Sequence, residues 1–496
     1  MMIRLFATTA VLVLAVCTTT WAQFTDKVLI EGAKIIPVVG DVIEKGNILI
    51  ENGKIVAVGV DVKAPFDAKV IDASGKTVFP GMIDPYTSSG LDIPNESVPV
   101  ASFVRVADAI DPSARYFENA LRGGLTSIHI AQGANAVISG VTRVVRPIGM
   151  MVSEITVEAE GGLGIVFSAA GGRDVAGQLA TLRGTFRSFD RYLKRLAEKL
   201  YEEEQKKDGG EVRVGPKEAR KLGAKLIKPS KIEDRYRNLW RIRHGELDVY
   251  AHCSRAMDVQ TALDFAKAQG FADNMTIVLG SETFKAVRRL KKLSRPVILS
   301  KSQFVHREAD RMTQEPIDTF VPDVLMKNGI EFAIAGSEEP WYEAARLVRN
   351  GIPRQKALEA ITLNAAKAIG LGARLGSIEP GKDGNILILS GDPLDTMTWV
   401  EHVFIEGRHV YDNKKDLRLR HLLQGAFDTK LAADKKSAAA LEAKNARADK
   451  EAKAKTDEKS KASKGDKPAK SDEKSKADSK PSDAKKSPAP AGGSKN

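Results

Sequence analysis

A chain of 496 residues is too long for one small domain, and its 43% hydrophobic content is ample for a large core. The formal net charge of +12 would suit a nucleic-acid-binding protein, but residues 430–496 hold 19 lysines and arginines against 11 aspartates and glutamates. Because that segment carries most of the excess charge, the rest of the chain is only mildly basic, which argues against specific nucleic-acid binding.

Residues 1–22 are typical of a secretory signal peptide. Arg4 precedes an apolar run over 5–16, and small residues lead up to Ala22. The run is too short to cross a membrane comfortably, so the sequence predicts cleavage after Ala22 and no transmembrane span. We therefore expect export to the periplasm or the extracellular space.

The two cysteines bear on processing and on stability. Lipoprotein processing at Cys17 is the alternative to cleavage after residue 22, but the bulky Val16 disfavours it. If the first 22 residues are removed, Cys253 is the only cysteine left, so no intrachain disulfide can form. Core packing must then stabilise the fold even in an oxidising compartment.

Two strand-rich blocks flank the middle of the chain. The Asn-Gly pair at 52–53 favours a type I′ hairpin in the first block. Strand patterns occur in five segments: 28–36, 48–59, 69–72, 384–389 and 400–411. They predict one sheet module with a first part over 23–79 and a second part over 372–423.

Between these blocks, over 80–371, helices alternate with short apolar strands. A helix over 111–122 is stopped by a Gly-Gly pair and followed by a strand over 125–131. Further strands are predicted at 248–251, 275–279, 296–299 and 331–335. This alternation predicts an α/β barrel, with a polar helical excursion over 187–243 on its outside.

The segment 424–496 is built mainly from Lys, Ala, Asp and Ser. With almost no aromatic or branched apolar side chains, it cannot bury enough surface to offset the entropy lost on ordering. We expect a disordered basic tail. Its charge supports the hypothesis that it binds an anionic envelope polymer.

One motif stands at the start of the predicted barrel. Residues 80–88 read Pro-Gly-Met-Ile-Asp-Pro-Tyr-Thr-Ser and resemble the Pro-Gly-Leu-Ile-Asp-x-His-x-His signature of the amidohydrolase superfamily. The segments 124–140, 360–370 and 376–383 resemble imidazolonepropionase-like members, so the chain is identified as a divergent member over 28–411. The resemblance implies a (β/α)8 TIM-like barrel and a small β-sandwich built from the N- and C-terminal flanks.

The resemblance also implies which positions would hold the family's catalytic metal. The two histidines of the signature become Tyr86 and Ser88, and a histidine of a later strand is kept as His252. The second later histidine becomes Leu279, and the aspartate of the last strand aligns with Glu338. No convincing mid-barrel lysine or glutamate is found.

These replacements change the chemistry expected of the barrel. A catalytic zinc needs about three protein ligands and one open position. The phenol of Tyr86 has a pKa near 10 and must lose its proton before it binds metal, Ser88 is a weaker donor still, and Leu279 cannot bind metal at all. We therefore expect no bound metal or other cofactor; zinc would be present only if hydrolysis survives.

If catalysis survives, Glu338 and His252 are the predicted catalytic residues of a non-standard site. Glu338 and Glu339 could also act as acid and base, since paired carboxylates can separate their pKa values. A slip of one residue in the alignment would select Ser337 or Glu339 instead. An alternative role for the two glutamates is to cap the helix that begins near Trp341. Three residues are predicted to lie in the barrel pocket, where a structural role is favoured for the histidine: Asp84, His129 and Ser281.

Three hypotheses about function follow. In the first, the protein has lost metal-dependent hydrolysis and acts as a binding or scaffold protein with a small molecule in the barrel pocket. In the second, it still hydrolyses carbon-nitrogen bonds, such as non-peptide or cyclic amides, with a non-standard site. In the third, the basic tail binds an anionic polymer.

Overall fold

The computed structural model describes residues 27–207, 214–416, 418, 435–442 and 444. The predicted signal peptide, including Cys17, lies outside these residues, as does most of the predicted tail, so both stay predictions. The chain divides into two compact units, Met1–Leu419 and Arg420–Asn496. In the second unit, residues 435–442 are helical and exposed. No helix in the described part of the chain is long and apolar enough to cross a membrane.

The first unit contains two large sheets and a hairpin. Its strands are β1 (Lys27–Ile35), β2 (Ile43–Glu51), β3 (Lys54–Gly59), β4 (Lys69–Asp72), β5 (Thr77–Pro80), β6 (Met82–Thr87), β7 (Leu125–Ile130), β8 (Ile138–Val145), β9 (Thr156–Val166), β10 (Val249–Cys253), β11 (Met275–Leu279), β12 (Val297–Ser300), β13 (Val305–Ala309), β14 (Pro316–Phe320), β15 (Phe332–Ala335), β16 (Ile386–Leu389), β17 (Val400–Ile405) and β18 (Arg408–Asp412).

The helices pack mainly around the second sheet. They are α1 (Arg115–Arg122), α2 (Val152–Ile155), α3 (Val175–Lys207), α4 (Pro216–Gly223), α5 (Asp234–Arg243), α6 (Ala256–Gln269), α7 (Val287–Leu290), α8 (Val321–Lys327), α9 (Pro340–Arg349), α10 (Arg354–Ile361) and α11 (Leu363–Ala368). Short 3-10 helices occur at Val106–Ala109, Ala224–Leu226, Pro229–Lys231, Ser281–Ala286, Lys301–Gln303 and Asn413–Lys415.

The first large sheet joins both flanks of the chain. Its order is β18-β17-β16-β5-β1-β2-β3, and β4 pairs with β1. The junction is the antiparallel pair of β5 and β16, in which Val78 lies opposite Ile388. Asn52 and Gly53 both have positive φ, as a type I′ turn between β2 and β3 requires. The two flanks therefore form one sheet; its packing as a two-layer sandwich stays a prediction.

The second large sheet is barrel-like. Its order is β15-β12-β11-β10-β9-β8-β7-β6. Adjacent strands in this order are parallel, except that β8 is antiparallel to both of its neighbours. The end strands β6 and β15 lie beside each other, but no ladder joins them in the described part of the chain. We call the line between them the seam. The coarse prediction of a mixed α/β fold with an eight-stranded barrel-like sheet is confirmed.

Strand β8 departs from the expected (β/α)8 repeat. It is antiparallel to both β7 and β9, so these three strands form a meander instead of successive βα units. Antiparallel neighbours need only a short connection, and only residues 131–137 separate β7 from β8. The expectation of a regular eightfold repeat is therefore wrong at this strand.

The helical excursion lies along α3, α4 and α5. Helix α3 begins at Val175, well before the polar stretch that starts at residue 187, and buries Leu182, Phe186 and Phe189 against the core. Its apolar side chains recur at three- and four-residue spacing, which turns one face of the helix inwards. The charged side chains that dominate the sequence of this region lie on its outer face.

Candidate functional site

Strand β6 carries the positions of the sequence signature into the barrel, and all its residues are buried. The Tyr86 hydroxyl lies 3.0 Å from the Gln132 carbonyl oxygen and 2.8 Å from Nε2 of His252. A carbonyl oxygen only accepts, so the hydroxyl donates its single proton to Gln132. Nε2 of His252 must then carry a proton and donate to the Tyr86 oxygen.

His129, on β7, also has both ring nitrogens engaged. Its Nδ1 lies 2.8 Å from the Pro85 carbonyl oxygen and therefore donates to it. Its Nε2 lies 2.7 Å from Oγ1 of Thr142 and accepts the hydroxyl proton when the ring is neutral. The side chain thus ties the neighbouring strands β6, β7 and β8 together.

Four aromatic rings form the centre of the barrel: Tyr86, His129, Tyr250 and His252. Neighbouring ring centroids in this set are 4.5 to 5.7 Å apart. Burial lowers the pKa of both His129 and His252 to about 4, and it raises the pKa of both tyrosines well above the usual value. All four side chains are therefore uncharged at neutral pH, and we call this set the central cluster.

Asp84 lies at the seam. Its carboxylate oxygens accept the Gly336 backbone N–H at 3.1 and 3.2 Å, and Oδ1 also accepts the Tyr86 N–H at 3.2 Å. The side chain therefore bridges β6 to the end of β15, where no ladder joins the two strands. Burial raises the pKa of Asp84 to about 7, opposed by these backbone donors and by the positive charge of Lys301.

The side chains present do not fit the family's metal. Nε2 of His252 is committed as a donor to Tyr86, whose phenol is held in its protonated form by burial. Leu279 closes β11 with a buried apolar side chain, and Ser88 is partly buried just beyond β6. Within the described residues, no group of three or more His, Cys, Asp or Glu side chains is placed to hold a metal ion.

The remaining predicted residues lie apart from this centre. Oγ of Ser281 lies 3.2 Å from Nδ1 of His306, at the start of a 3-10 helix that follows β11. Glu339 occupies the N-cap position of α9, but its side chain makes no capping hydrogen bond, so the capping interpretation is wrong for this residue. Glu338 and Glu339 are exposed.

A cavity of about 900 Å³ opens at the seam, and we call it the seam cavity. It is bounded by β6, by the loop after β15, by α1 and α9, and by residues of the flank sheet. Its polar and aromatic lining includes Asp84, Thr87, Tyr116, Arg122, Lys301, Ser337, Glu338, Glu339, Trp341, Tyr342, Glu343, Trp399 and Tyr411. Tyr86, His129, His252 and Ser281 do not line it. The structure therefore separates the two predicted catalytic residues, Glu338 and His252.

Sequence reasoning missed several residues of this cavity. Lys301 follows β12 at its carboxyl end, where barrel proteins place functional groups, so its position was a usable signal. Trp399 comes from the flank sheet module and Tyr116 from α1. Nothing in the sequence connects these two aromatic residues to the seam.

Comparisons with known proteins agree with this architecture. The family described as "Amidohydrolase family" matches residues 315–411. The imidazolonepropionase of Thermoplasma volcanium is 30% identical over 124 residues, which are 22% of this chain and 31% of that protein. The imidazolonepropionase of Geobacillus kaustophilus is 53% identical over 53 residues, 9% of this chain and 12% of that one. The chain thus spans less than a third of the length of these relatives.

A solved structure is similar over a much longer stretch. The crystal structure of an amidohydrolase from Thermotoga maritima superposes with a TM-score of 0.62 at 27% sequence identity. The match covers 78% of this chain and 100% of that one. The fold therefore has a counterpart among solved structures.

Proposed function

Because the chain belongs to the amidohydrolase superfamily, we propose that it is an exported member without metal-dependent hydrolysis, which acts by holding a small molecule as a binding or scaffold protein. The observation that carries this proposal is the hydrogen bond between Tyr86 and His252. It joins a replaced ligand position to the one retained histidine and engages Nε2 of that histidine.

Binding zinc at this centre would need several costly changes. Tyr86 would have to lose its proton although burial raises its pKa, and the donor relation between Tyr86 and His252 would have to break. Leu279 supplies no donor atom in exchange. Since the affinity of a zinc site depends on the identity and number of its ligands, this centre supports a packed interior better than a metal site.

The competing proposal is an active hydrolase of carbon-nitrogen bonds. It is favoured by the relatives, which are named as imidazolonepropionases and an amidohydrolase. It needs His252 and Glu338 to act on one substrate, whereas only Glu338 lines the seam cavity. A third proposal, attachment to an anionic polymer through the tail at 424–496, concerns residues outside the described part of the chain.

Metal analysis combined with an activity screen tests the proposal. The purified full-length protein, prepared without chelator and then equilibrated with zinc, manganese and iron salts, is expected to retain no stoichiometric metal by mass spectrometry. It is also expected to release no product from a panel of linear amides, lactams and cyclic imides. One tightly bound metal per chain, together with hydrolysis that a chelator abolishes, would overturn the proposal.

The variant His252→Ala separates the remaining alternatives. If the protein hydrolyses a member of the panel without metal, and this variant loses that activity while keeping its thermal unfolding curve cooperative, the protein is a hydrolase with a non-standard site. His244→Ala is the matched control, because His244 lies on the outer helical region and stacks on Trp240 at a distance from the barrel centre. The control is expected to behave like the parent protein.

A further inference from the structure

The seam cavity has the dimensions of a small-molecule site. Its volume of about 900 Å³ lies in the range of the clefts that bind small ligands. It is built from three separate parts of the fold, namely the barrel seam, two helices and the flank sheet. Such junctions between structural units are common places for ligands.

The cavity lining carries more negative than positive charge once the internal pairs are removed. Arg122 donates to Asp416 at 2.6 and 3.2 Å, and Glu343 pairs with Arg346 at 2.6 Å. Lys301 opposes the raised pKa of Asp84, but it has no ion pair to any residue that the structure describes. Glu338 and Glu339 have none either, so besides Asp84 the unpaired charges of the lining are two carboxylates and one ammonium group.

Two carboxyl groups of the lining, those of Asp84 and Glu338, influence the buried hydroxyl of Tyr116. Tyr116 lines the cavity, and its hydroxyl makes no hydrogen bond of normal geometry. Burial raises the pKa of Tyr116, and the negative charges of Asp84 and Glu338 raise it further. The wall beside Tyr116 thus lies in a negative potential, which favours a positively charged ligand.

Aromatic side chains are exposed around the same space. Trp399 is 50% exposed and Tyr342 is 48% exposed, and both line the cavity beside Trp341. Large aromatic rings left open to water next to unpaired carboxylates form a surface that attracts organic cations, because the ring faces are electron-rich.

We propose that the seam cavity binds a small molecule with a substituted ammonium group, whose charge faces Glu338 and Glu339 and whose alkyl groups contact Trp399. This ligand class deepens the proposed binding function and rests on it. The cavity needs no contribution from the central cluster, since none of the four rings of that cluster lines it. A ligand therefore enters without disturbing the barrel interior.

Isothermal titration of the full-length protein with choline chloride tests this proposal. The control ligand is the uncharged isostere of choline, in which a carbon atom replaces the nitrogen, so that size and shape are kept and the charge is removed. Choline is expected to bind at one site per chain, more weakly at high salt because screening reduces its attraction to the exposed carboxylates. The isostere is expected to bind at least about tenfold more weakly.

Two variants locate the site. Glu338→Gln is expected to weaken choline binding about threefold, as expected for one exposed charge pair, and Trp399→Ala about tenfold, as expected for a cation over a tryptophan face. Glu315→Gln is the matched control, since Glu315 is exposed near the hairpin of β13 and β14 and does not line the cavity. It should leave the affinity unchanged.

Each outcome decides the proposal. Equal binding of choline and its isostere, no binding of choline, or equal affinity of the Trp399→Ala variant and the parent protein would each overturn the ammonium assignment. Stoichiometric zinc with chelator-sensitive hydrolysis would instead overturn the proposed function without affecting the titration. The two failures are therefore distinguishable.

Discussion

The central cluster and the seam cavity share strand β6, yet they hold their polar groups in opposite ways. In the centre, Tyr86, His129 and His252 are uncharged and bonded to one another or to nearby backbone. At the seam, Glu338 and Glu339 are exposed and have no ion pair to the described residues. The difference indicates that the central cluster stabilises the barrel, whereas the unpaired carboxylates of the seam cavity are available to contact a ligand.

The same substitution in the two regions should therefore have very different effects. Tyr250→Ala removes a ring with 0% exposure from the central cluster and should lower the free energy of unfolding by about 3–5 kcal/mol, because the surrounding rings cannot fill the space. Tyr342→Ala removes a half-exposed ring of the seam cavity and should cost less than about 1 kcal/mol. Urea unfolding followed by circular dichroism measures both values.

Two results would contradict the difference in packing between the central cluster and the seam cavity. If Tyr342→Ala destabilises the protein as much as Tyr250→Ala, the seam is packed as tightly as the centre and is not an open cavity. If Tyr250→Ala costs less than about 1 kcal/mol, the central cluster does not stabilise the barrel. Unchanged urea slopes in both variants would show that the unfolded states are comparable.

The pH dependence of stability separates the two regions by sign. The pKa values of His129 and His252 are lowered to about 4 in the folded chain. Between pH 6.5 and 4 these two histidines therefore bind protons in the unfolded chain but stay neutral in the folded chain. Stability therefore falls as the pH falls through this window. The pKa of Asp84 is raised to about 7, so its contribution has the opposite sign and is lost as the pH rises through 7.

The pKa values of His402 and His409 are also lowered by burial, so four histidines act against Asp84 and the unfolded chain binds more protons than the folded chain. We therefore expect the free energy of unfolding to decrease as the pH falls from 6.5 to 4. Asp84→Asn removes the opposing contribution and should make the decrease steeper. A flat profile between these pH values, measured by urea unfolding at each pH, would contradict the neutral state of the central cluster.

Much of the fold could be predicted from local sequence. The alternation of helix and apolar strand over 80–371 and the Asn-Gly turn at 52–53 are local signals, and both agree with the structure. Strand β8 could not be predicted, because its first residues, Ile138 to Gly140, follow a glycine-containing stretch that is typical of a loop. The direction of a strand depends on partners that are distant in sequence.

The candidate site was harder to predict than the fold. The replaced positions Tyr86 and Leu279 could be identified because each stands in a recognisable segment. The seam cavity could not, because Asp84, Glu338 and Trp399 come together only through tertiary packing. Sequence periodicity indicates helices and strands but does not indicate which distant segments pack together. The sequence also does not distinguish a glutamate that forms an ion pair from one that does not.

A further effect is expected at the contact that holds the seam loop. Gly123 ends α1, and a Cβ atom there would collide with the backbone carbonyl oxygen of Glu338. Gly123→Ala should therefore displace the loop after β15 and lower the free energy of unfolding by about 1–3 kcal/mol, although φ at this position is ordinary for alanine. Gly184→Ala is the control, because Gly184 lies within α3 with nothing near its Cβ position, and it should raise stability by about 0.5–1 kcal/mol. Thermal unfolding of both variants measures the difference, and two shifts of the same sign would mean that the seam loop does not depend on its contact with α1.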